Sequence, residues 1–166
     1  MGLAALIVYV TLGRRRIDYR FVLIGAVLPD LAAAWPGSHS LVVVALLALV
    51  AMVLPLREKR LALFGLPVGW LLHLVGDGMW DYPRVFLWPA FGADVPVHPE
   101  PYSWDLVADP LAHLSTWGAE LAGLLLLAWF WVAFGLGHQG RARLFLKDGY
   151  LRPWDGPGDT VGADNP

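Results

Sequence analysis

Long uncharged apolar runs alternate along this chain with short charged or turn-forming stretches. Residues 2–12 are apolar and lead into Arg14, Arg15, Arg16 and Arg20. Residues 21–35 form the next apolar segment, interrupted by Pro29 and Asp30. Trp35-Pro36-Gly37-Ser38 predicts a tight turn. Residues 39–56 carry no charge after His39, and Ser38 is the expected N-cap of that run. A short basic loop, Arg57-Glu58-Lys59-Arg60, follows. Residues 61–80 are apolar again, with Gly65 and Gly69 in a small-xxx-small pattern that permits close helix contact. Residues 81–110 form a loop rich in proline and aromatics, of a length that is often functional. Residues 111–137 hold the run LAGLLLLAWFWVAFGLG, and Arg141, Arg143 and Lys147 follow it.

This pattern predicts an all-α protein: a polytopic membrane bundle of four to five apolar helices over residues 1–147. Residues 148–166, polar and rich in glycine and proline, are expected to be a flexible tail. Residues 2–12 cover about half of a ~30 Å hydrocarbon core. Their positive charges follow them, so an N-terminal anchor is expected in place of a cleavable signal.

Composition strengthens the membrane reading. Of 166 residues, 57% are hydrophobic and only 16% charged, where a soluble domain carries about 25% charge. The net charge of -2 decides little, because the placement of charge matters more than its sum. No basic stripe suited to nucleic acid appears. Cysteine is absent, which excludes disulfides and thiolate metal sites. Basic clusters lie at 14–20, 57–60 and 141–147. If all three are cytoplasmic, two crossings separate each from the next. The basic loops and the tail then face the cytoplasm of a multi-pass cell-membrane protein.

On that topology Asp30, His39, His73 and Asp77 fall in the outer halves of three segments. His73 and Asp77 are four residues apart and share one helical face. Ionisable groups in apolar segments are costly unless they bind something. Two imidazoles and two carboxylates suit a divalent cation, zinc first, with manganese or iron as alternatives. His39, His73 and Asp77 are the preferred ligands, with Asp30 as a fourth ligand or a general base. Asp81 is expected to continue the face of His73 and Asp77 by one more turn, as a base or an orienting group. His113 and the embedded Glu120 are secondary candidates. Each residue also has a plain reading: Asp30 as a cap after Pro29, His39 as an interfacial residue, His73 and Asp77 as a structural pair. Their shared depth favours a site.

The pieces GAVLPDL (25–31), SHSL (38–41), HLVGDGMW (73–80) and FLWPAFG (86–92) resemble the membrane-bound predicted metal-dependent hydrolases, a family that includes a LexA-regulated inner-membrane protein. That family is grouped by remote similarity with helical zinc-dependent phospholipase C-type hydrolases. The resemblance implies that Asp30, His39, His73 and Asp77 are metal positions. It also implies hydrolysis of a phosphoester or related bond in a lipid or lipid-linked substrate. The chain departs from the family pattern upstream. No histidine precedes His39, and the usual His-Arg-Gly-x-Thr-His-Ser run is Trp35-Pro36-Gly37-Ser38-His39-Ser40. The departure points to a mononuclear site or to a non-catalytic relative that uses the cluster for packing or partner binding. A transporter is the third reading, weakened by the absence of an inverted repeat. Oligomeric state is open.

Overall fold

A computed structural model describes residues 7–9, 17–32, 35, 37–54, 60–92, 94, 114–138, 140–152, 154 and 156. The elements are α1 (Tyr19–Leu31), α2 (Leu41–Val53), α3 (Arg60–Leu63), α4 (Gly65–Gly76), a 3-10 turn (Met79–Asp81), α5 (Pro83–Phe86), α6 (Leu114–Ala133) and α7 (Arg141–Asp148). Among the described residues there is no strand, so the all-helical expectation holds.

The membrane-spanning bundle does not. No described helix is long and apolar enough to cross a membrane. The physical reason is where each apolar run breaks. α1 and α2 have 13 residues each and α4 has 12, about 18–20 Å of rise against a ~30 Å core. The run expected over 61–80 divides at Phe64 and stops at Gly76, because Gly78 takes a left-handed conformation (φ 64°). α6 has 20 residues, but Ser115, Thr116 and Glu120 occupy its first turns. The apolar remainder, 121–133, rises only about 20 Å. The inside–outside topology built on four crossings has no support among the described helices. Much of the apolar composition is surface instead. Leu46, Leu49, Val50, Met52 and Val53 on α2 are exposed, as are Leu121, Leu124, Leu125, Trp129 and Val132 on α6.

α1 and α4 form the principal contact, and glycine makes it. A Cβ on Gly25 would lie 2.2 Å from the Leu66 carbonyl oxygen. One on Gly69 would lie 2.1 Å from that of Val22, and one on Gly65 2.8 Å from that of Asp18. The two helices therefore pack backbone against backbone. Two apolar clusters flank this seam. Val22, Ala26, Phe130, Phe134 and Leu151 join α1 to α6 and to the segment after α7. Val43, Trp70, Leu74, Met79 and Val85 join α2, α4 and α5.

The start of the expected tail is folded. The Tyr19 amide donates to the Gly149 carbonyl at 2.9 Å, and Leu151 is buried. Asp18 caps α1 through the Arg20 amide. The Arg20 guanidinium binds Asp18 and donates to the carbonyls of Leu146 (2.5 Å) and Lys147 (3.0 Å). It thereby satisfies the free C-terminal carbonyls of α7 with a cation, which also suits that helix's dipole. Residues 157–166 of the tail lie outside the described residues, as do most of 2–12 and of 95–110.

Gly69→Ala is expected to cost about 1–3 kcal/mol, because a methyl cannot enter the α1–α4 seam without moving backbone. Gly118 on α6 has open space around its Cα, so Gly118→Ala should be neutral or stabilise by up to ~1 kcal/mol. Thermal denaturation of the two variants beside wild type measures both.

Candidate metal centre

The site forms where α1 and α4 end and α2 begins. Asp30 lies in the last turn of α1. Asp77 is the C-cap residue of α4, and His73 stands one turn before it. His39 lies in the turn that leads into α2. The negative dipole ends of α1 and α4 thus converge on the cluster, an arrangement that favours a cation. The glycine seam aligns the ends of α1 and α4.

One ligand atom from each of Asp30, His39, His73 and Asp77 lies within 4.8 Å of all the others. His73 Nε2 is 2.9 Å from Asp77 Oδ2 and 3.4 Å from Asp30 Oδ1. His39 Nε2 is 4.0 Å from Asp77 Oδ2. Ligands 2.0–2.2 Å from a tetrahedral cation stand ~3.3–3.6 Å apart. The cluster already brackets that value, and closing around an ion needs movements of about 1 Å.

Each imidazole is oriented from behind. The His73 ring is hydrogen-bonded to the Ala26 carbonyl on α1, and its buried Nε2 faces the Asp77 and Asp30 carboxylates. The nitrogen bonded to Ala26 is therefore Nδ1–H, which leaves Nε2 directed at the site. The 2.9 Å contact of Nε2 with Asp77 is an ion pair that helps to raise the His73 pKa. His39 Nδ1 is 3.0 Å from the Ser38 hydroxyl, which turns its Nε2 inward. Ser38 is itself fixed. Its carbonyl accepts from Trp70 Nε1 at 2.9 Å, and Trp70 is buried on the same helix as His73. Partners of this kind set tautomer and ring orientation in metal sites.

The electrostatics match. Burial raises the Asp30 carboxyl above its ordinary value, against the opposing pull of His73. Burial opposes a charged His73, but the Asp77 and Asp30 carboxylates outweigh it, and its pKa is raised. The Asp30 side chain is 44% exposed, so the site is open on that side.

Two expected features differ. Ser38 does not cap α2; Ser40 is the N-cap residue, and its hydroxyl donates to the Gly37 carbonyl at 2.6 Å. Ser38 serves His39 instead, a role that the adjacent pair Ser38-His39 did not announce. Trp70 as the anchor of that turn was likewise missed, since a tryptophan in an apolar run signals only burial. Asp81 is not part of the cluster. α4 stops at Gly76, and the left-handed Gly78 turns the chain before Asp81, so the helical face is not continued. His113 lies outside the described residues. Glu120 is on α6, and its side chain lies outside the description.

The family model described as YdjM inner membrane protein matches residues 37–144, about two thirds of the chain. The chain belongs to the YdjM inner membrane protein family. The YdjM match contains His39, His73 and Asp77, while Asp30 precedes it. Membership supports a membrane location. No curated protein and no solved structure matches the chain.

In the metal-free protein, His73 contributes stability that is complete below its ordinary value of 6.5 and is lost as pH rises through its raised folded value. Asp30, also raised, disfavours folding once pH exceeds 3.8 and it begins to ionise. Stability of the metal-free protein should therefore fall from pH 5.5 to pH 8. Asp77→Asn should flatten that slope, as read by denaturant titration at the two pH values.

Proposed function

We propose that this protein is a metal-dependent hydrolase of the membrane, acting on a phosphoester or related bond in a lipid or lipid-linked substrate. The observation that carries the reading is the convergence of one ligand atom from each of Asp30, His39, His73 and Asp77 within 4.8 Å of one another, with the His73 side chain buried among them. His39, His73 and Asp77 would hold the ion, with Asp30 as the fourth ligand or the general base. Two nitrogens and carboxylate oxygens without thiolate suit zinc, and also manganese or iron.

When bound, such an ion acts as a Lewis acid and makes water a nucleophile near neutral pH. The chain's own groups supply the rest. Asp30, raised in basicity by burial and open to solvent, is suited to take a proton from that water. His73, bonded to Ala26, and His39, beside Ser38, keep their Nε2 atoms aimed at one point. Family membership and the exposed apolar residues support a lipid-phase substrate.

Metal content and affinity test the reading directly. Wild type should bind about one zinc per chain, and His73→Ala and Asp77→Ala should abolish stoichiometric binding. Ser38→Ala should keep the stoichiometry but weaken affinity by roughly 10–100-fold, the usual cost of losing a ligand-orienting partner. Equal, negligible metal in wild type and in the alanine variants would refute the proposal. Turnover of a phosphodiester lipid by the zinc-loaded wild type, absent in Asp30→Asn, would then identify the reaction.

A further inference from the structure

α7 has two faces with different work. Its inner face carries Arg141, which is buried and donates to the Phe134 carbonyl at 3.0 Å and to the Arg152 carbonyl at 2.8 Å. Phe145, one turn on, packs on the α1–α6 core. Its outer face carries Arg143, Leu146 and Lys147, and Tyr150 continues the same register just beyond the helix. All four are exposed, Leu146 by 67%.

Among the described residues, Asp148 pairs with Arg152 and Asp18 with Arg20. Arg143 and Lys147 make no ion pair with a described residue, so the described part of this face carries two exposed cations although the chain's net charge is -2. It is also held firmly. Arg20 caps the carbonyls of Leu146 and Lys147, and the Tyr19 amide binds the Gly149 carbonyl.

Cations interleaved with exposed apolar side chains on one helix face match a lipid–water interface. The charges meet phosphates while the Leu and Tyr side chains enter the acyl boundary. We propose that the outer face of α7 rests on an anionic phospholipid surface, with Arg143 and Lys147 on headgroup phosphates and Leu146 below them. Membership of an inner-membrane family supplies the surface. The sequence adds Arg14, Arg15 and Arg16 just ahead of Ile17 and the α1 cap. The proposal is independent of the metal centre and does not depend on catalysis.

The chain has no cysteine, so Leu146→Cys in the full protein gives a single labelling position for an environment-sensitive fluorophore. The labelled protein would be reconstituted in vesicles of phosphatidylcholine alone, and in vesicles of phosphatidylcholine and phosphatidylglycerol in equal parts. The expected result is blue-shifted, acrylamide-protected emission only in the anionic vesicles, reversed by high salt. Adding Arg143→Glu and Lys147→Glu should return the probe to water, with the membrane-contacting population falling at least ~5-fold per charge. Equal emission in both vesicle types overturns the proposal, as does protection that survives charge reversal or salt. The salt titration of the parent protein keeps the test decisive if the double variant fails to fold.

Discussion

The site depends on a contact between two stretches of backbone. Gly25 on α1 and Gly65 and Gly69 on α4 leave no side chain between the helices, and any Cβ there would collide with a carbonyl. Two functional distances depend on that closeness. His73, one turn beyond Gly69, reaches the Ala26 carbonyl and fixes its tautomer on α1 itself. Asp30, one turn beyond Ala26, comes within 3.4 Å of the same imidazole. Pushing the helices apart by a methyl radius would lose both. Trp70 extends the frame to a third element, since its indole holds the turn that carries His39.

The two ends of α1 are built on opposite principles. Its N-terminal end is closed: Asp18, Arg20 and the carbonyls at the end of α7 satisfy one another, and Gly149 is bare because Asp18 occupies the place of its side chain. Its C-terminal end is open. Carboxylates there sit at the negative ends of two helix dipoles, where an acid is disfavoured and a cation welcome. The first end contributes rigidity, and the second concentrates negative potential where a ligand can reach it.

Part of this was legible in the sequence. The spacing of His73 and Asp77 and the break at Pro29-Asp30 each signal a polar group in an apolar setting. Gly65 and Gly69 announce a close helix contact. What the sequence hid was the length of the helices. Apolar composition persists past Gly76 to the left-handed Gly78, so hydropathy counts one span over 61–80 where α3, α4 and a 3-10 turn stand. The same blindness put Asp81 on a face that ends at Gly76. Ser38 was read by its commonest role, capping, because its true partner is a side-chain nitrogen on the next residue. The four site residues were grouped by an assumed depth, whereas helix ends and the α1–α4 seam bring them together.

The remaining question is whether His39, His73, Asp30 and Asp77 are complete by themselves. With Nδ1–H given to Ala26, a neutral His73 aims its Nε2 lone pair at carboxylate oxygens, which is repulsive. A protonated His73 places its Nε2–H 2.9 Å from Asp77 and 3.4 Å from Asp30, and these carboxylates raise its pKa. The metal-free cluster is thus held by a charged imidazole between two acids. A divalent cation would take the place of that proton, with His39 as a further nitrogen and the C-terminal ends of α1 and α4 favouring the added charge.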